Sequence, residues 1–467
     1  MHVAAIVDGI LDGLPQKFTG LVKNLDTTGL SPASFLGFLS SLKALLNEIG
    51  REAFVATISQ FDETAKVIEH AGQQHRFKMD SEKDWLTPFG AVSIERGYYQ
   101  PDQGGQGVVP LDVRCGMVDR YMTPDLEEHC AFAATMLVPK EIHDLFAKML
   151  PQAPSLKAIQ RVIGDAGGFA EANAEEVEQA MRQEAPLSQD GDKLVVSWDG
   201  KPVPLREKGT KPGRPPERPG IRDGSESPTS WKEAGVATVS IYGDLSEVDG
   251  QPIRLDARYL ARMPEPGMAT LQRTLQSVVE DLLVTRAFAQ VAVICDGKRS
   301  IWNTASQAPV FQGATLILDF YHAAQHLSKA AEAIFGKDSA FATKWFKDYR
   351  ERMQLEPEGT RAAIRSMRYY RQKLRRKSHR RLVVTGVIRF FTGNLARMKY
   401  AEFLSQGLPI GSGPVEAACK TLVGARLVRS GMRWSRKGGQ LVLNLRAHYL
   451  SNRWNVFWKT YLASRVA

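Results

Sequence analysis

Between Lys193 and His322 short apolar runs rich in Val, Ile and Leu alternate with amphipathic stretches, which restricts this part of the chain to an α/β domain. Five runs read as strands: Lys193-Leu-Val-Val-Ser-Trp-Asp199, Val236-Ala-Thr-Val-Ser-Ile-Tyr-Gly243, Pro252-Ile-Arg-Leu-Asp-Ala-Arg-Tyr-Leu260, Gln290-Val-Ala-Val-Ile-Cys-Asp296 and Thr315-Leu-Ile-Leu-Asp-Phe-Tyr-His322. Between the third and fourth, the stretch Met268 to Phe288 carries Leu271, Leu275, Val278, Val279 and Leu282 on one helical stripe. A short helix with Ile301 and Trp302 precedes the fifth. The expected order is β-β-β-α-β-α-β.

The flanks read differently. Residues 34–73 predict two helices, one from Ser34 and one from Glu52 to His70. A β-hairpin follows around Thr87 to Tyr99, with a Gly-rich loop at 103–107. Residues 124–185 are helical by pattern. Ser155 to Gly164, a Gly-rich turn and a further helix have the outline of a helix-turn-helix, although such pairs are common in plain bundles. The Pro/Gly/Arg-rich stretch from Arg206 to Ser230 has too little apolar content to pack and predicts a flexible loop. After His322 the pattern is helical to the end, interrupted near Glu356–Gly359 and Gly407–Pro414. This gives a mainly helical N-terminal region at 1–190 and an α/β core at 191–325 whose flexible loop spans 206–232. A helical basic insertion at 326–408 follows, and 409–467 closes the core with helices.

The 467 residues carry a net charge of +10. From residue 341 onward there are 27 Lys and Arg against 6 Asp and Glu, a net of +21, so the remainder stands at −11. A cationic C-terminal third points to a polyanionic partner. Its densest segment, Arg365 to Arg381, has nine Lys and Arg and no acid. Arg365, Arg368, Arg371, Lys373, Arg375, Arg376 and Lys377, interleaved with Tyr369 and Tyr370, are the expected phosphate contacts. Arg426, Arg429, Arg433 and Arg436 form a second cluster around Trp434. No uncharged run approaches the ~18 residues of a membrane span, and the opening Met1-His-Val-Ala-Ala-Ile-Val-Asp lacks the basic flank of a secretion signal. The four cysteines, Cys115, Cys130, Cys295 and Cys419, show no zinc spacing, so a reducing cytoplasm is expected.

Three acids are placed for chemistry. Asp199 and Asp296 each close an apolar run and precede Gly. Asp-Gly is also an ordinary turn dipeptide, but two in one domain favour a shared site. Glu416 sits in the first turn of a helix starting at Gly413-Pro, where a carboxylate also complements the helix dipole. Glu402 is the competing acid, on what reads as an ordinary helix surface. Asp319 and His322, with His326 one turn on, read as support for the site.

Several segments resemble bacterial insertion-sequence transposases of the ISKra type, within the wider Mutator-like group of DDE transposases. They are Val196-Ser-Trp-Asp-Gly-Lys201, Leu318-Asp-Phe-Tyr-His-Ala-Ala-Gln-His-Leu327, Ile410-Gly-Ser-Gly-Pro-Val-Glu-Ala-Ala-Cys-Lys420, Arg429-Ser-Gly-Met-Arg-Trp-Ser435 and Arg453-Trp-Asn-Val-Phe-Trp458. The resemblance covers roughly residues 85 to 460. It implies an RNase H-like core interrupted by a helical insertion, with Asp199, Asp296 and Glu416 holding two Mg²⁺ or Mn²⁺ ions. Asp319 and His322 match the group's Asp-x-x-His motif. Asp296 is preferred to Asp319 as second acid, because strands one and four adjoin in such a sheet while strand five lies a further ~5 Å away. The implied partners are double-stranded DNA, as terminal inverted repeats and target, and further copies of the chain, as a homodimer or larger assembly on DNA at the nucleoid. A catalytically silent DNA-binding derivative and an RNase H-like nuclease are the rival expectations. Gln325 stands where the group commonly has Glu.

Overall fold

The computed structural model describes residues 14–23, 31–102, 104–206, 229–248 and 250–465. The opening segment and most of the expected flexible loop fall outside them. The chain divides into two compact units, one built on residues up to Ala180 together with those from Trp454, the other Met181–Arg453.

In the first unit α1 (Leu14–Lys23) precedes α2 (Pro32–Ile58), which opens with a Ser31/Ser34 capping box. The two expected helices at 34–73 are thus one helix followed by a strand. Gly50, inside α2, lets the Phe89 ring approach to 2.5 Å of where a Cβ would stand. Val67 to His70 forms β1, paired with β2 (Gln73–Thr87) through Ala71 and Gly72, both at positive φ. β2 pairs with β3 (Gly90–Pro101) to complete a three-stranded antiparallel sheet. Trp85, Val92, Ile94, Leu111 and Met117 form its core. Helices α3 (Pro110–Arg114), α4 (Pro124–Ala134), α5 (Pro139–Met149) and α6 (Leu156–Ala172) follow, and the division between the units falls within α7 (Ala174–Glu184). α6 runs without a break through Asp165-Ala-Gly-Gly168, so the expected helix-turn-helix is not formed there. Ala166 and Gly167 are buried, and small residues at a helix contact remove the need for a turn.

The second unit holds a five-stranded mixed sheet made of β4 (Lys193–Arg206), β5 (Thr229–Leu245), β6 (Pro252–Arg262), β7 (Gln290–Cys295) and β8 (Thr315–Leu318). The spatial order is β6-β5-β4-β7-β8; the first three are antiparallel, and β4, β7 and β8 are parallel. Helix α8 (Ala269–Thr285) links β6 to β7 and α9 (Arg299–Gln307) links β7 to β8, so the chain order is the one expected. Every residue from Ala234 to Tyr242 is buried, as in a central strand covered on both faces.

β4 does not stop at Asp199 but runs on to Arg206. Pro202 and Pro204 are tolerated because the same parity of residues faces the side that β7 has vacated. There Trp434 takes its place, donating to the Pro204 carbonyl at 3.0 Å and accepting from Arg206 N at 2.8 Å.

Beyond β8 the insertion comprises α10 (Phe320–Phe335), α11 (Ala340–Leu355), α12 (Gly359–Lys373), α13 (His379–Asn394) and α14 (Tyr400–Ser405). Its apolar residues continue the core of the sheet. α15 (Gly413–Ala418), a π-helical turn at Cys419–Gly424 and α16 (Arg436–Leu450) complete the unit. The last helix, α17 (Trp454–Ala463), belongs to the first unit, where Trp454 meets Phe132 at 5.3 Å and Tyr461 meets Phe169 at 5.3 Å. The helices of 409–467 are therefore divided between the two units. No helix among the described residues is long and apolar enough to cross a membrane.

Candidate functional site

The offset that pairs Lys193 with Gln290 and Val196 with Val293 carries Asp199 to Asp296, so the two acids stand opposite each other past the end of the parallel pairing. Asp199 pairs across β5 with Val236 and shares its face, while neighbouring Gly235 faces Leu271 of α8. Asp199 thus stands on the face away from α8, with Asp296 near enough for its charge to act on it. The Asp199 carboxylate accepts from Gly200 N at 2.7 Å. Asp296 closes its turn by accepting from Lys298 N at 3.0 Å. Burial raises the Asp199 pKa above the ordinary carboxylate value; the charge of Asp296 adds to this, and Gly200 N–H and Lys298 offset part of it.

α15, which carries Glu416, packs against β4 and β5. Glu416 itself is half-exposed and lies 3.9 Å from Lys420 Nζ. The π-helical turn that follows packs on β4, and buried Arg446 donates to the Thr421 carbonyl at 2.9 Å and the Leu422 carbonyl at 3.1 Å. Such turns leave carbonyls without their helical partners, and Arg446 takes them up. Cys295 and Cys419 lie beside the acids, and burial pushes both thiols up, Cys419 to about 12. The donors facing the site are therefore carboxylate oxygens, the chemistry of a hard divalent cation rather than zinc. Among the described residues, no three His, Cys, Asp or Glu side chains are gathered closely enough to hold a metal ion. The oxygen donors of the two aspartates suit such a cation by type, and Glu416 is not gathered with them.

Asp319 is differently employed. It is 1% exposed and caps α10, one carboxylate oxygen accepting from His322 N and the other from Ser412 N. Phe320 N donates to the Ile410 carbonyl at 2.9 Å, so Asp319 and its neighbour clasp the loop leading into α15. His322 and His326 lie 5.0 Å apart, and His326 stacks on Phe390 at 4.1 Å. The Phe390 ring in turn lies 2.5 Å from where a Cβ on Gly297 would stand, walling the turn of Asp296.

Two residues of the cluster carried no sequence signal. Lys298 Nζ lies 3.6 Å from Asp199 and 3.2 Å from Glu233, and the Glu233 carboxylate lies against Gly200. Burial pulls the Lys298 ammonium down, but the charges of Asp199, Asp296 and Glu233 outweigh it and raise its pKa. A groove of about 520 Å³ opens beside them, lined by Trp198, Lys232, Met268 and Arg436 among others. Glu233 comes to Asp199 only through the β4–β5 register.

The basic residues separate into surface and core. Arg365, Arg368, Lys373, Arg375, Arg376 and Lys377 are exposed, and Lys373 Nζ lies over the Tyr369 ring at 4.2 Å. Arg371 is half-buried. Arg429 and Arg436 are exposed and Arg433 partly so, but Arg426 is 1% exposed, its guanidinium 5.2 Å from the Trp434 ring. Arg426 is thus a packing residue of the Trp434 bridge and does not reach the surface expected of it. No protein-family model and no curated protein matches the chain.

Proposed function

We propose that the chain is a DNA transposase of the DDE kind, which cuts strands at the ends of an insertion-sequence element and joins them to target DNA. The observation that carries this reading is the juxtaposition of Asp199 and Asp296 on adjoining parallel strands, with the helix of Glu416 packed on β4. The strand order, antiparallel on one side of β4 and parallel on the other, supports an RNase H-like core. Two Mg²⁺ or Mn²⁺ ions held by Asp199, Asp296 and Glu416 would supply charge stabilisation and an activated oxygen nucleophile. The chain's own contribution is placement. Asp199 and Asp296 present oxygens from a rigid sheet, and the Asp319 clasp sets the entry to α15. The exposed cations of 365–377 meet DNA phosphates, and Arg429, Arg433 and Arg436 extend that contact beside the acids. Terminal repeats and target are held together by a homodimer or larger assembly on nucleoid DNA.

The test uses supercoiled DNA carrying the gene with its flanks. Asp199→Asn, Asp296→Asn and Glu416→Gln each abolish nicking in Mg²⁺ or Mn²⁺ while DNA binding in a gel-shift assay persists. Joined products distinguish a transposase from a nuclease. A wild-type chain that binds DNA but never cuts it ends the enzymatic reading. Replacing Arg375, Arg376 and Lys377 together by Ala lowers DNA affinity roughly ten- to a hundredfold near physiological salt and flattens the log–log salt slope by about 2–3. An unchanged slope would remove this face from the interface.

A further inference from the structure

Lys298 is anchored by its own backbone N–H on Asp296, yet its side chain bends to reach Asp199 on one side and Glu233 on the other. Asp199 and Glu233 point to opposite faces of the sheet: Asp199 shares the face of Val236, and Glu233 shares that of Gly235, which meets Leu271. Lys298 spans the two because β7 has ended and leaves the sheet edge open between them. Both Glu233 oxygens lie within reach of Nζ, at 3.2 and 3.4 Å, against 3.6 Å to Asp199. The acid pair is therefore already partly neutralised by an ammonium of the chain itself.

We propose that Lys298 is the resident counter-ion of the acid pair, which a divalent cation displaces when it binds Asp199 and Asp296, with Glu233 receiving the withdrawn ammonium. The inference rests on the metal-site reading above. An ammonium and a divalent cation held by one aspartate repel each other strongly at such range. A lysine's four-carbon stem lets it move aside at little conformational cost. Glu233 is placed on the groove side to receive it, where Lys232 and Arg436 also stand. The arrangement keeps two adjacent carboxylates tolerable without metal and sets a threshold concentration for loading the site.

The experiment is Mn²⁺ titration by calorimetry on the full chain without DNA, alongside thermal denaturation in chelator. Lys298→Met binds Mn²⁺ at least about tenfold more tightly than wild type, a difference of about 1.4 kcal/mol. It also melts at a lower temperature in chelator and recovers that loss with Mn²⁺. Lys298→Arg, which keeps the charge, stays near wild type in both. Lys298→Met with unchanged or weaker Mn²⁺ affinity, while Asp199→Asn abolishes binding, overturns the counter-ion role alone. Mn²⁺ binding that is absent or indifferent to Asp199→Asn overturns the metal site and this inference together.

Discussion

Two neighbouring parallel strands end in an aspartate, and the two aspartates are put to opposite use. Asp296, after β7, spends one oxygen on its own turn and lies within the field of Asp199 and Lys298. Asp319, after β8, is buried and gives both oxygens to backbone N–H groups, one on its own helix and one on the loop before α15. Its own N–H donates to the Cys295 carbonyl at 2.9 Å, so the two turns are also tied together. The lesson concerns lone pairs. A carboxylate already saturated by protein donors is a clasp, while one that faces another carboxylate and a lysine ammonium keeps lone pairs that backbone donors do not take.

The largest effect separates them by activity. Asp296→Asn costs strand cleavage roughly a thousandfold or more, the equivalent of several kcal/mol of charge stabilisation. Asn keeps the oxygen that accepts from Lys298 N, and it relieves repulsion with Asp199, so the melting temperature holds or rises. Asp319→Ala does the reverse. It leaves the buried N–H of Ser412 and the part-buried N–H of His322 without acceptors and destabilises the fold by about 2–4 kcal/mol, read by chemical denaturation. If Asp319→Ala retains stability but loses cleavage, the roles of the two acids are exchanged.

The glycines beside each turn sharpen the same contrast. A Cβ on Gly297 meets the Phe390 ring at 2.5 Å, and that ring is held by the rings of His322, His326 and Phe391. Gly297→Ala therefore costs about 1–3 kcal/mol by overpacking. A Cβ on Gly411 meets Tyr321 at 2.8 Å, but Tyr321 is exposed and free to swing. Gly411→Ala costs less than about 1 kcal/mol. Equal losses at the two positions would mean that the wall around Asp296 is no stiffer than the approach to α15.

How much of this was legible in the sequence follows from the range of the interactions. The five strands and the placement of Asp199 and Asp296 were legible because apolar runs closing on Asp-Gly are local patterns. Asp319 was legible as a strand-end acid, but its saturation was not, since Ser412 lies 93 residues away. Lys298 and Glu233 were invisible as a pair because register and a vacated sheet edge bring them together across 65 residues. The unbroken α6 defeated the local rule that glycines end helices, because buried contacts favour small residues there. Val67-Ile-Glu-His70 was legible in retrospect, being β-branched and followed by Ala-Gly, yet apolar spacing alone assigned it to a helix. Arg426 shows the limit of counting charges: its neighbours are surface cations, and only the Trp434 bridge explains why it is buried.

A pH-dependent effect concerns the wall on which the turn of Asp296 leans. Burial lowers the His326 pKa from 6.5 to about 4, with the charges of His322 and Lys329 adding to the effect. The unfolded chain takes up this proton below about pH 6.5, whereas the folded chain resists it until about pH 4. Stability is therefore complete above about pH 6.5 and is lost as pH falls toward 4. The full shift corresponds to roughly 3 kcal/mol, but His326 is only half-buried, and solvent screening reduces this to about 1–2 kcal/mol. His326→Phe keeps an aromatic ring on Phe390 and removes the proton. Unfolding free energies at pH 7 and pH 4.5, from denaturant titrations, then differ less in the variant than in wild type by that amount. Carboxylates titrate in both proteins over this range, so the difference between them isolates the imidazole. An identical pH slope in the two proteins would show that protonated His326 swings clear of Phe390, leaving the side of the turn that carries Asp296 open to water.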